Sequence, residues 1–422
     1  MSNPASHATR NAPRLHAPAA GTLVLIGGAL EEDPVILQRI VSLAANSRSD
    51  HNDTSPPRIS ILTTASEPAN SAAAASSNEE ENDEADGRYY VELFARHGAL
   101  GVPVPIGVAT EPSFSGSNYL RSNALSEQIA ESVRSSDAIF LGGGDQTHYL
   151  LALFQSAQAG EPPFGERFDT PVMTAMRDVL ARGGVIAGTS AGLAVQQAAP
   201  MVSGGDSREA WLYGASAGYA DDNRLRYIPA GGLGFFGEGL LDSHFNEWGR
   251  VARAVKLAHA CSERLAIGVD ENTALIYSPA SRRGEVIGSG GVSILDLSEA
   301  TFAEGINGAA ATDVRWSHYT VGDHYDFANG EAQRANETHA IPGNSASPTT
   351  AIDVWAEENG LALLRLAQTL VASPERIAAG ESSLTDETRF RITLHRDERT
   401  SWNAAGGFAD LKLSITPIAP SA

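Results

Sequence analysis

The 422-residue chain has a single cysteine, Cys261, so it can form no intramolecular disulfide and no cysteine-rich metal cluster. No apolar run approaches the roughly 18 to 20 residues that a membrane-spanning helix needs, which excludes an integral helical membrane protein. Basic residues are scarce. With 30 Lys and Arg against 51 Asp and Glu, the formal net charge is −21, which repels phosphate backbones, argues against a nucleic-acid partner and favours cationic ligands. The first twenty residues lack the continuous apolar stretch of a secretory signal and read as a disordered arm. The expected location is the cytoplasm, with export left open. No P-loop lysine and no G-x-G-x-x-G pattern accompanies the glycine-rich stretches, so no nucleotide cofactor is expected.

From about residue 22 to 200, short Val/Ile/Leu runs alternate with amphipathic stretches, the pattern of a parallel sheet with helical crossovers. Strands are predicted over 22–28, 58–64, 102–108, 137–144 and 184–190, and helices over 33–46, 87–99, 122–136 and 171–183, with Asp33-Pro34 and Ser122 suiting helix starts. The fold class is α/β, a doubly wound, mostly parallel sheet that binds ligands at the carboxyl ends of its strands. The acidic run from Glu79 to Asp86 and the Gly/Pro-rich stretch 155–170 read as loops. Later come a helix at 248–260, strands at 265–270 and 273–279, and further alternating strands to about residue 330. The composition of 336–350 suggests a linker. Beyond it, 351–422 forms a C-terminal α+β extension carrying one helix, late strands and no evident catalytic motif.

The segment Gly188-Thr189-Ser190-Ala191-Gly192 follows an apolar strand and precedes a helical pattern, the position of a nucleophile elbow. A sharp turn there needs glycines beside the serine, since bulkier neighbours would clash. Ser190 is the candidate nucleophile. The backbone N–H of Ala191 is one donor for a developing oxyanion, and Gly143 and Gly144, in the loop Gly142-Gly143-Gly144-Asp145-Gln146, offer a second. A serine nucleophile needs a base. Among eleven histidines, His244 stands at the end of the apolar strand GLLDSHF ahead of a helix, with His148 its closest rival; His7, His16 and His51 fall in loop or arm sequence. An orienting acid is sought between serine and histidine, where Asp206 and Glu209 both qualify and the residues alone do not choose.

Taken in order, LIGGALEE, FLGGGDQ, AGTSAGLAV, GGDSREAW, LLDSHFNEWGRVARAV and AIGVDENTALIY resemble the cyanophycinase family of serine peptidases, related to peptidase E, the aspartyl dipeptidase. The resemblance covers roughly residues 20 to 330. It implies a class I glutamine amidotransferase-like fold and hydrolysis of β-aspartyl-arginine bonds in cyanophycin by a Ser-His-Glu triad, with no metal or organic cofactor. Ser190, His244 and Glu209 are its carried-over triad, and Asp206 stays as the alternative acid. Gln146, Asp242, Arg250 and Arg253 match substrate-side positions. Ser243 stands where the family typically has glutamine, and Trp248 where it often has arginine. Partners implied are cyanophycin or an aspartyl peptide; the oligomeric state is left open, with a homodimer as one option. A dipeptidase acting on smaller aspartyl or isoaspartyl peptides, and a non-catalytic binding protein on the same scaffold, are the competing readings.

Overall fold

The computed structural model describes residues 20–30, 34–50, 52–76, 87–305, 308–340, 346–383 and 388–418. The expected N-terminal arm up to residue 19, His51 and the acidic run 79–86 lie outside these residues, as do 341–345 of the expected linker.

Five short apolar segments build the parallel half of a nine-stranded sheet. Their spatial order is Leu100–Pro103, Arg58–Leu62, Ala138–Leu141, Val185–Thr189 and Thr22–Ile26. Alternate side chains of each strand enter different cores. Leu23, Leu25, Ile139 and Leu141 pack with Val133 and Val179 on one face, while Val24, Ile26, Ile59 and Phe140 pack with Ile36, Leu37 and Phe94 on the other. Burial on both faces explains why these strands read as continuous hydrophobic runs rather than alternating ones. The helices Pro34–Asn46, Arg88–Ala95, Glu127–Arg134 and Pro171–Ala181 supply the covering layers.

The sheet is mixed rather than mostly parallel. Beyond Thr22–Ile26, the strands Thr273–Ser278, Arg283–Gly288, His324–Asp326 and Glu331–Gln333 continue it antiparallel. Three local expectations are also corrected. The strand expected over 102–108 ends at Pro103, at the sheet edge, because Pro105 has no N–H with which to extend a ladder. Ser126 rather than Ser122 caps its helix, its Oγ accepting from the Ile129 N–H at 3.4 Å, and residues 121–125 form a 3-10 turn before it. The stretch 155–170 is a small hairpin rather than a loop, with Phe154–Ser156 paired to Arg167–Asp169.

A second sheet begins with Leu240–Asp242 parallel to Leu265–Val269, then runs antiparallel through Gly291–Asp296, Gly308–Thr320, Phe408–Ile418, Arg389–His395 and Ile377–Glu381. The C-terminal strands therefore share this sheet with strands from the middle of the chain. Trp316, Phe390, Phe408 and Leu413 are fully buried in one core with the helices Val251–Cys261 and Ala362–Val371.

Leu265–Val269 and Thr273–Ser278 are adjacent in sequence yet belong to different sheets. Asp270-Glu271-Asn272 carries the chain across. Gly27 and Gly28, just past the first strand, anchor the crossing: Gly27 N–H donates to Thr273 O at 3.0 Å, and Asn272 N–H donates to Gly28 O at 2.8 Å.

Candidate active site

Ser190 ends the strand Val185–Thr189 with φ 53° and ψ −112°, an uncommon conformation for a residue with a side chain. Such a geometry costs about 1–3 kcal/mol and persists only where its surroundings fix it. Here the Ser190 N–H donates to Ile26 O at 3.0 Å, and the helix Ala191–Ala194 starts directly after it. The flanking glycines are required by close approach. A Cβ on Gly188 would lie 2.2 Å from Gly192 O, and one on Gly192 would lie 2.2 Å from Leu141 O.

His244 follows Leu240–Asp242 and also has positive φ, 45°. Its N–H donates to Gly27 O at 2.8 Å, which ties the second sheet's edge to the end of the first sheet's strand. Gly28 leaves room for the ring, since a Cβ there would lie 2.2 Å from His244 Cε1. The imidazole makes two short contacts, Nε2 to Ser190 Oγ at 2.7 Å and Nδ1 to Glu271 Oε1 at 2.7 Å. An ionised carboxylate only accepts, so Nδ1 carries the proton and Nε2 faces the serine hydroxyl as the acceptor. The hydrogen bond from His244 holds the Glu271 carboxyl below its ordinary range, against the opposing effect of partial burial.

Of the residues expected at the site, the structure brings Ser190 and His244 together and leaves Glu209 elsewhere. Glu209 sits on the helix Ser207–Tyr213 and accepts from Arg208 Nη1 at 3.0 Å. Asp206 caps that helix, accepting from the Glu209 N–H at 2.7 Å. The acid on the imidazole is Glu271, a correction to the expectation of Glu209 or Asp206. The reason lies in topology. Asp206 and Glu209 lie between serine and histidine in the chain, whereas the carboxylate arrives 27 residues after the histidine, on the crossing between sheets. A signal was present in AIGVDENTALIY, where an acidic pair separates two apolar strands at the level of the site. The rival His148 has its Nδ1 2.9 Å from Ala65 O and its Nε2 3.6 Å from Glu67, away from the serine.

Ser190 and His244 open into a cleft of about 790 Å³, lined also by Gly144, Gln146, Ala191 and Trp248. Gly143, the other candidate oxyanion donor, precedes Gly144 in the same loop. Gln146 Nε2 donates to Val202 O at 2.9 Å. Asp242 is buried and takes Arg253 at both oxygens, 2.8 and 2.6 Å, while Arg253 also donates to Gly205 O. Burial opposes ionisation of Asp242, yet Arg253 and Arg250 hold its carboxyl below the usual value. Arg250 donates to Ser243 O at 2.7 Å and reaches Ser243 Oγ and Asp242 Oδ1 at 3.3 Å each. Its burial, with Arg253 beside it, pulls its guanidinium down to about 9.

One wall of the cleft comes from the C-terminal segment, with Asp353, Trp355, Glu357 and Glu358. This segment is fastened to the histidine turn: Leu361 N–H donates to Asn246 O at 3.0 Å, and a Cβ on Gly249 would lie 2.8 Å from Trp355 O. Asp221 and Asp222 line the cleft as well, so it is acid-rich.

The geometry can be set beside known proteins. No family model matches the chain. Among curated relatives, the cyanophycinases of Trichormus variabilis and Nostoc sp. are each 31% identical over 244 residues, spanning 52% of this chain and 72% of theirs. The cyanophycinase of Geminocystis herdmanii is 32% identical over 213 residues, spanning 50% of this chain and 64% of its own. A solved peptidase from an acI-B1 Actinobacterium is 19% identical, with a TM-score of 0.47 over 73% of this chain and 98% of its own. With 31% identity extending over 72% of curated cyanophycinases, the chain belongs to the cyanophycinase family.

Proposed function

We propose that this chain is a serine-type peptidase that hydrolyses β-aspartyl-arginine bonds of cyanophycin and releases β-Asp-Arg dipeptides. The observation that carries the reading is the unbroken chain of two 2.7 Å contacts, Ser190 Oγ to His244 Nε2 and His244 Nδ1 to Glu271 Oε1, with Ser190 and His244 lining the cleft. Ser190 Oγ attacks the β-aspartyl carbonyl as His244 Nε2 takes the hydroxyl proton. Glu271 keeps the proton on Nδ1 and balances the charge that the ring acquires. The tetrahedral oxyanion is held by the N–H groups of Ala191 and of Gly143 or Gly144. His244 then gives its proton to the leaving amine, and water, activated by the same imidazole, releases the acyl group from Ser190.

Several features support the substrate assignment. The relatives matched over 72% of their length are named cyanophycinases, and the acid-rich cleft suits a peptide whose branches are arginines. The five parallel strands with helices on both faces support a class I glutamine amidotransferase-like scaffold, with the C-terminal segment as an addition that walls the site. Incubation with purified cyanophycin, followed by mass analysis, should yield a product of β-Asp-Arg mass, and Ser190→Ala should lower its release by about 10⁴-fold or more. An unimpaired Ser190→Ala enzyme would remove the nucleophile assignment.

A second reading, hydrolysis of free aspartyl or isoaspartyl dipeptides, is kept because Ser243 and Trp248 stand close to the nucleophile. Ser243 is 5% exposed and its Oγ is 3.3 Å from Arg250, so little of it is available to a substrate. Turnover of dipeptides with the polymer left intact would favour this second reading.

A further inference from the structure

Trp248 lines the cleft with Ser190 and is 38% exposed, so burial in a core does not explain its position. Its indole lies against the His244 imidazole with ring centroids 4.4 Å apart and planes at 21°. The guanidinium of Arg250 lies 4.5 Å from the same indole centroid. The backbone fixes this stack. Trp248 N–H donates to His244 O at 3.0 Å, Gly249 turns the chain with φ 58°, and Arg250 N–H donates to Phe245 O at 2.9 Å. The imidazole is thereby bounded by Ser190 at Nε2, by Glu271 at Nδ1 and by the indole on a face, and only 13% of its side chain reaches solvent.

We propose that Trp248 is a positioning residue for the His244–Glu271 pair, holding the imidazole aimed at Ser190 and presenting a π face to the positive charge the ring acquires on taking the serine proton. This rests on the reading of Ser190 as nucleophile and His244 as base. A flat indole at stacking distance restricts rotation of the ring about its Cβ–Cγ bond, which the two edge hydrogen bonds alone leave open to rocking. Aromatic faces attract cations electrostatically, and more strongly where water is excluded. The indole therefore interacts more favourably with imidazolium than with imidazole, a difference that assists a proton-transfer transition state rather than substrate binding. Trp248 also contributes to holding the Glu271 carboxyl below its ordinary range, so it acts on both members of the pair. The other charged groups around the pair are Glu247 and Arg250 on the same turn, Asp242 and Arg253 behind it, and Asp270 on the crossing. Replacing Trp248 leaves all of them in the chain.

The test compares wild type with Trp248→Ala and Trp248→Phe by two measurements. The first is the rate at which a fluorophosphonate modifies Ser190, a reaction in which Oγ bonds to phosphorus, fluoride leaves and His244 takes the proton. The second is proton NMR of the His244 Nδ1–H, which needs no chemistry at Ser190. Trp248→Ala should slow modification about tenfold and broaden or remove the Nδ1–H resonance, with Trp248→Phe within about threefold of wild type and its resonance largely restored. With peptide substrate the loss should appear in kcat, with KM changed by less than about threefold. An unchanged rate and resonance in Trp248→Ala would overturn the proposal. So would a raised KM at constant kcat, which would make Trp248 a substrate platform, or equal losses in both variants with a wild-type resonance, which would make it a scaffold. A wild-type enzyme never modified at Ser190 would instead refute the nucleophile reading, while the resonance would still report on the stack.

Discussion

Ser190 ends a strand flanked on both sides by parallel neighbours, whereas His244 follows a three-residue strand at the edge of a largely antiparallel sheet. The first setting is built from local repeats of strand and helix. The second is assembled from strands drawn from residues 240 to 418. The two meet at the backbone of Gly27 and Gly28 and at the crossing Asp270-Glu271-Asn272, and there the third member of the hydrogen-bonded chain resides. The lesson is that the serine belongs to one sheet, the histidine to the other, and the carboxylate to neither. A site divided in this way keeps its geometry only while the two sheets hold their relative position.

That comparison can be broken at the carboxylate. Glu271→Gln should lower turnover about 10³-fold, because an amide can both donate and accept and no longer fixes the proton on Nδ1. Its companion Glu209→Gln removes a half-buried pair with Arg208, away from the imidazole, and should leave turnover within about twofold. Steady-state rates on the same substrate check both, and a reversed order would return the acid to the helix Ser207–Tyr213.

The second sheet's edge can be tested for stability rather than chemistry. Asp242→Asn leaves Arg253 and Arg250 buried without their shared counter-charge and should cost about 3 kcal/mol or more in urea unfolding. A smaller effect falls on the seam. Gly28→Ala sets a Cβ against the His244 ring at a position with φ 127°, and should lower turnover about 10²-fold through a displaced imidazole. Its far-ultraviolet circular dichroism should match wild type. Unchanged turnover in Gly28→Ala would mean that the seam tolerates movement.

The same division explains what could be read from the residues. Most helices and parallel strands between 22 and 189 follow from their hydrophobic patterns, the strands as runs buried on both faces and the helices as stripes, while the strand end at Pro103 and the helix start at Ser126 do not. Ser190 is legible from its glycines and its place after a strand, and His244 from its place after another. Glu271 is legible only as one of an acidic pair between two apolar strands, because its partner is set by which sheet each strand joins, and neither Leu265–Val269 nor Thr273–Ser278 carries a mark of its sheet. The C-terminal strands were recognisable as strands. The pairing of Phe408–Ile418 with Gly308–Thr320 spans about a hundred residues of sequence and leaves no local trace. Trp248 was visible as a residue of interest, but its stack on His244 depends on the turn at Gly249 and on the acid that holds the ring's other edge.

The most direct test of the divided site is the proton NMR spectrum of the His244 Nδ1–H in solution. A hydrogen bond to a carboxylate draws that resonance far downfield. A downfield signal in wild type and in Glu209→Gln, absent from His244→Ala and from Glu271→Gln, is the expected result. A signal that survives Glu271→Gln and vanishes in Glu209→Gln would move the acid to the helix Ser207–Tyr213.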